Sequence, residues 1–275
     1  MTATAVGVAD VSTPFSSSPF TWTLTVQPVR GSVKTFERDF FLGTPPFLPL
    51  NSTDTQACAL FFDGISANLK FPGSDPETDQ GTCIDALTQA CVDDLSKQAK
   101  DAWSELLDGS ESDDVDLLNT GEVCKRFGET LRDHAPQTCT AASDRKWGDI
   151  LARPLTGASA PEPVKKGTCN PTTGRDYDLR QVASRQVETA DRTTSDLAKV
   201  SWGVTPIVTI FYGGEQLQEG QSRVELSCLK TIGAAKGNAP AKGEAENSAK
   251  AVVATVWTGY AGVIAVAAIA LIEVL

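Results

Sequence analysis

The sequence predicts an α+β fold: a disulfide-stapled helical hairpin with a small β component and a C-terminal hydrophobic tail. Three observations predict it. Phe20, Trp22, Leu24 and Val26 alternate with polar residues, the period of a half-buried strand. Ile84, Leu87, Cys91, Leu95, Ala102 and Leu106 recur at helical spacing. Ala251 to Ile272 contains no charged residue.

Residues 1–19 are rich in Ser, Thr and Pro, and the composition predicts a disordered N-terminal segment. A single α+β domain is expected over residues 20–232, a flexible stalk over 233–250 and the hydrophobic tail over 251–275. The domain opens with the strand Phe20 to Val26. Thr35 to Phe41 is a second candidate strand, closed by Gly43-Thr44-Pro45-Pro46. Between Thr55 and Lys70, Ala57, Leu60, Phe61, Ile65 and Leu69 lie near helical spacing, with Gly64 as the weak point. The strongest helix starts near Thr82, where Thr82 and Asp85 form a capping-box pair. Asp108 to Asp116 is an acidic loop. A second helix is predicted from Thr120 to Asp133, with Val123, Phe127 and Leu131 on one face, and Pro136 ends it. A third short helix is predicted over Ala141 to Leu151.

Residues 153–175, with Pro154, Gly157, Pro161, Pro163, Gly167 and Pro171, read as a long loop. Asp176 to Lys199 has helical composition. Ile207 to Tyr212 reads as a buried strand, turned by Gly213-Gly214. Arg223 to Ile232 alternates as a returning strand, although Glu225 to Lys230 also tolerates a helix.

There are seven cysteines. Cys83 and Cys91 stand ~12 Å apart along a helix, too far to bond each other. Antiparallel helices turning near residue 110 predict nested bridges, Cys83–Cys139 and Cys91–Cys124. Each closes a loop worth roughly 3–4 kcal/mol by chain entropy. Cys58, Cys169 and Cys228 then hold one pair and one odd thiol, with the choice open.

The formal charge of −11 repels phosphate backbones, and no basic cluster offsets it, so no nucleic-acid partner is expected. Zinc favours C-x-x-C pairs or several histidines, and the chain has neither; no metal or other cofactor is expected. His134, the single histidine, sits at a predicted helix end and is expected to play a structural or surface role. No G-x-S-x-G elbow surrounds any serine. Asp113, Asp114 and Asp116 lack the Gly and Glu positions of an EF-hand and read as a solvated turn. Aromatics make up 7% of the chain and the five tryptophans are scattered, which argues against an aromatic sugar cleft. No catalytic residue is assigned.

The uncharged run of 22 residues would reach about 33 Å as a helix, enough to cross a bilayer. No basic residue follows Ile272, whereas a stop-transfer helix normally carries one. A glycosylphosphatidylinositol (GPI) signal combines small residues at the cleavage site, a polar spacer and an apolar tail. Gly237-Asn238-Ala239 supplies the first, Pro240 to Lys250 the 11-residue spacer and Ala251 onward the tail. Gly237 and Asn238 are the attachment candidates; Gly243 and Asn247-Ser248-Ala249 are further ones. The alternative is a tail-anchored protein with a cytosolic body, which the absence of a signal-peptide pattern at Met1 to Asp10 favours. Cysteine content and the sequon Asn51-Ser52-Thr53 favour an oxidising compartment.

The stretches Cys58-Ala59-Leu60-Phe61-Phe62, Gln80 to Leu87, Ala90-Cys91-Val92-Asp93, Val204 to Phe211 and Leu226 to Lys230 resemble a group of uncharacterised fungal secreted, cysteine-containing surface proteins. The resemblance covers roughly residues 55–230. Proteins of that group often end in a GPI signal; the resemblance implies an extracellular, disulfide-bonded surface protein and supplies no activity. The expectation is a non-enzymatic fungal cell-surface or cell-wall protein on the outer face of the plasma membrane. Its expected partners are the membrane, through the C-terminal lipid anchor or helix, and cell-wall polysaccharide. An extracellular carbohydrate-active hydrolase is the enzymatic alternative, since carboxylate pairs are spatial and leave no sequence trace.

Overall fold

Sheet dominates the fold in place of the predicted helical hairpin. The computed structural model describes residues 5–232 except 33, 76, 109–119, 144–145, 165–170, 175, 190–199, 216 and 218–220, all within the unit Met1–Gly233. Among these residues the strands are β1 (Ala5–Val11), β2 (Phe20–Pro28), β3 (Thr35–Thr44), β4 (Gln56–Phe61), β5 (Leu151–Pro154), β6 (Asp178–Glu188), β7 (Thr205–Tyr212) and β8 (Ser222–Leu229). They form two four-stranded antiparallel sheets, ordered β1-β2-β3-β6 and β5-β4-β7-β8. The helices are α1 (Cys83–Leu87), α2 (Gln89–Asp108), α3 (Thr120–Arg132) and α4 (Thr140–Ser143).

The sheets stack face to face, and the helices cover the outer face of the second. Phe20, Trp22, Leu24 and Val26 of β2 and Phe40 and Leu42 of β3 meet Ala57, Ala59 and Phe61 of β4 and Ile207 and Phe211 of β7. The indole N–H of Trp22 reaches across to donate to the Thr209 hydroxyl at 3.2 Å. On the other face of β4 and β7, Cys58, Leu60, Val208, Ile210 and Tyr212 join Leu95, Ala99, Trp103, Val123, Phe127 and Leu131 in a second core. Sheet two is therefore covered on both sides.

This double burial explains one correction. The apolar run in 55–70 matches helical spacing, yet it is the strand β4 followed by a 3-10 helix, Asp63–Asn68. A strand buried on both faces loses its alternation, and Ala57, Leu60 and Phe61 satisfy either period. Within 176–199, residues 178–188 are strand, not helix: β6 pairs with β3 from Asp178 to Glu188, with an irregularity at Phe40/Phe41. Residues 1–19 hold β1 rather than an unstructured lead, because β2 offers a full antiparallel edge from Phe20 to Val26. The helix expected over 141–151 stops at Ser143, and Leu151 already belongs to β5.

The Thr82/Asp85 capping box is present, Asp85 Oδ2 accepting from the Thr82 N–H at 2.7 Å. The helix it starts ends after one turn at Thr88, whose φ is 75°. The apolar stripe resumes on α2, while Ile84 stays exposed. Among the described residues Phe47 carries the other positive φ on a non-glycine residue, 64°, a conformation that costs an L-residue roughly 1–2 kcal/mol.

Three disulfides join the described residues: Cys58–Cys124, Cys83–Cys228 and Cys91–Cys139. The predicted pairs Cys83–Cys139 and Cys91–Cys124 are not formed. They required α2 and α3 to face chiefly each other. Both helices instead lie on sheet two, so Cys124 of α3 bonds β4, while the separate helix α1 sets Cys83 against β8. Cys91 turns to the short 3-10 segment Gln137–Cys139. Cys169 lies outside the described residues.

The Cys58–Cys124 bond closes a separation of 66 residues, worth about 4 kcal/mol by chain entropy. Replacing both cysteines by Ala is expected to lower Tm by roughly 10 °C in differential scanning calorimetry.

Candidate functional site

Three polar places stand out among the described residues. The first is a charge cluster at one end of the sandwich. Arg38 of β3 points between the sheets and is 2% exposed. Its Nη1 meets Asp63 Oδ1 at 2.5 Å and donates to Ser66 Oγ at 3.1 Å, while Nη2 donates to Thr205 Oγ1 at 2.7 Å. Arg185 of β6 completes the group, with Nε 3.0 Å from Asp63 Oδ2 and Nη1 bonded to Asp149. Burial lowers the Arg38 pKa, Asp63 opposes that shift, and Arg185 adds to it. Sheet one supplies both arginines; the segment after β4, the segment before β5 and the first residue of β7 supply the acceptors. The cluster therefore fastens one sheet to the other.

The second place is a groove between α2 and α3 of about 340 Å³, lined by Asp94, Lys97, Asp101, Glu105, Thr130 and His134 among others. His134 is exposed just beyond α3; its N–H donates to Leu131 O at 3.3 Å and its carbonyl accepts from Gln98 Nε2. Both bonds are made by its backbone, at the helix end where the sequence places it. Asp94 accepts from Thr138 and Asp101 pairs with Lys97, so these carboxylates already have partners. The lining residues include no Phe, Tyr or Trp.

The third is a recess of about 150 Å³ lined by Lys70, Phe71, Gly73, Asp79, Trp202 and Lys230. Lys230 follows β8, two residues past the Cys83–Cys228 bond, and β1 holds it in place. A Cβ on Gly7 would stand 1.9 Å from the Lys230 carbonyl, so only glycine lets β1 approach. The Lys230 ammonium donates to the Asp79 carbonyl and lies 5.9 Å from the Phe71 ring centroid. Burial lowers its pKa, opposed by Asp79 and Asp75. The Asp79 carboxylate is turned toward its own loop, accepting from the Asp75 N–H at 3.0 Å. An ammonium beside aromatic walls can bind a small polar ligand; it contains no nucleophile–base pair.

The predicted sites are scattered. Asn51 is exposed in the turn before β4. Cys83, Cys91, Cys124 and Cys139 are all bonded, with the pairings given above, and Cys58 and Cys228 take the remaining places. Gly237 and Asn238, the apolar tail, and Asp113, Asp114 and Asp116 lie outside the described residues. Sequence reasoning missed Arg38, Asp63, Arg185, Trp202 and Lys230, which come together only in the fold. Among the described residues no three His, Cys, Asp or Glu side chains are placed to hold a metal. No helix among them is long and apolar enough to cross a membrane.

No protein-family model, curated protein or solved structure matches this chain.

Two substitutions separate the fastening cluster from the recess. Asp63→Ala leaves Arg38 buried without its anion and is expected to cost about 3–5 kcal/mol in urea unfolding. Lys230→Met keeps the volume and removes the buried charge, and the half-buried Asp79 carbonyl regains water. A loss of no more than ~1 kcal/mol is expected in the same assay, as for other buried charges replaced by apolar groups.

Proposed function

We propose that this chain is a non-enzymatic cell-surface or cell-wall protein, exposed outside the cell and held to the membrane by a GPI anchor. The observation that carries the reading is the set of three disulfides, all with core cysteines or cysteines packed against the core. Such bonds persist in oxidising compartments and are rare in the cytosol. The exposed sequon at Asn51 supports the same compartment. Gly237-Asn238-Ala239, the polar spacer and the apolar run 251–272 fit the order of a GPI signal. The resemblance to fungal secreted surface proteins agrees with both. The partners in this reading are the membrane, through the lipid, and cell-wall polysaccharide. Trp202 and Phe71 beside the Lys230 ammonium suit contact with a sugar ring.

Mass spectrometry of the chain purified from its native membrane tests the anchor. A mature C-terminus among residues 237–249 bearing the anchor remnant is expected, and an end retaining Val274-Leu275 would refute it. Thiol labelling without reductant tests the compartment: no more than one of the seven cysteines should react.

A further inference from the structure

Lys230 is 7% exposed, and buried charges are ordinarily paired with an opposite one. Among the described residues it forms no ion pair. Its ammonium donates to the Asp79 carbonyl and lies 5.9 Å from the Phe71 ring centroid, and both of these partners are neutral. An ammonium has three N–H donors, and the carbonyl takes one. The two carboxylates that act on it from a distance, Asp79 and Asp75, are committed to their own loop. Asp79 Oδ2 accepts from the Asp75 N–H at 3.0 Å, and Asp75 Oδ1 accepts from the Glu77 N–H at 3.0 Å. A Cβ on Gly73 would stand 2.1 Å from the Asp79 carboxylate, which packs against that glycine.

The surroundings of this cation select a ligand class. Lys70, exposed, lines the same recess, so two lysines share it in a chain whose net charge is −11. Such a place attracts anions that the rest of the surface repels. The pull of Asp75 and Asp79 on Lys230 disfavours a dianion such as phosphate and leaves room for a single negative charge. Phe71 and the half-buried Trp202 add aromatic surface beside the ammonium, suited to the flat face of a ring. The recess of about 150 Å³ equals the space of roughly five waters, enough for a carboxylate and part of the ring that bears it.

We infer that the recess binds a small ring-bearing monocarboxylate, Lys230 and Lys70 holding the carboxylate and Trp202 and Phe71 facing the ring. The ligand is a sugar acid or an aromatic acid, which share this chemistry. The sugar-acid case deepens the polysaccharide reading above and rests on it; the aromatic-acid case does not.

The test titrates the purified full chain with glucuronate and with benzoate, and with glucose and benzyl alcohol as their uncharged counterparts. The readout is the Trp202 indole N–H resonance, assigned by its loss in Trp202→Phe. At least one carboxylate should shift it with a Kd of about 1 mM, and the uncharged counterpart should bind at least about tenfold more weakly. Lys230→Met should weaken that carboxylate at least about tenfold. Lys70→Ala, a surface change that leaves the core untouched, should weaken it about threefold. Binding of glucuronate alone identifies a sugar acid. Binding of benzoate alone upholds the inference and removes the recess from the polysaccharide reading. No shift with either carboxylate, or equal binding of the uncharged counterparts, overturns the inference. The anchor and compartment readings survive that failure, because the C-terminal mass and the thiol labelling decide them separately.

Discussion

Sheet two has to be buried on both faces, and most of the molecule follows from that requirement. β4 and β7 carry apolar side chains outward as well as inward. Sheet one covers one face and α2 and α3 cover the other. Without the helical layer, Leu60, Val208 and Ile210 would lie in water, each forfeiting roughly 1.5–3 kcal/mol of burial. Without sheet one, Phe61, Ile207 and Phe211 would do the same. The layer order of sheet, sheet and helix is a statement about β4 and β7 before it is a statement about any other element.

Each interface of this central sheet has its own fastener. Toward the helices the fastener is covalent: Cys58–Cys124 links β4 to α3, and Cys83–Cys228 links α1 to β8. Toward sheet one it is electrostatic: Arg38 and Arg185 reach across to Asp63. The two differ in what disrupts them. A thiol reductant attacks the helical side, and loss of the Asp63 carboxylate attacks the sandwich side. Neither treatment removes the apolar burial itself. The outer face of sheet one is closed more lightly, by Thr21 and Thr23 bonding the segment at Pro171 and Thr173.

The parts of the fold legible in the sequence were those whose pattern is local. β2 is legible because Phe20, Trp22, Leu24 and Val26 alternate with threonines that face a separate, hydroxyl-bonded layer. α3 shows its stripe of Val123, Phe127 and Leu131, and β7 shows a β-branched run. β4 escaped because burial on both sides erases alternation. β6 escaped because its charges look like a solvated helix face. Arg180 and Arg185 are in fact committed to Leu48, Pro161, Asp63 and Asp149, far away along the chain. The cysteine pairing failed for the same reason, since a hairpin guess supplies a partner from the nearest helix while the real partners lie on the sheet. Of the residues singled out beforehand, Asn51 is exposed in a turn, which its polar neighbours Ser52, Thr53 and Asp54 already suggest. The recess at Lys230 was not legible, because Phe71 and Asp79, Trp202 and Lys230 come from three stretches far apart along the chain.

The bond between Cys83 and Cys228 imposes an order on synthesis. The two cysteines are separated by 145 residues, which a ribosome making 5–20 residues per second traverses in about 7–29 s. Throughout that interval Cys83 has no native partner, while Cys91, Cys124 and Cys139 emerge beside it. Cys91 and Cys139 can close early, and so can Cys58 and Cys124. Cys83 has to wait for the last strand, which also brings Ile232 to β1. The closure of this bond therefore joins both ends of the domain at once, and a chain cut short before β8 would keep Cys83 without its partner beside an open sheet.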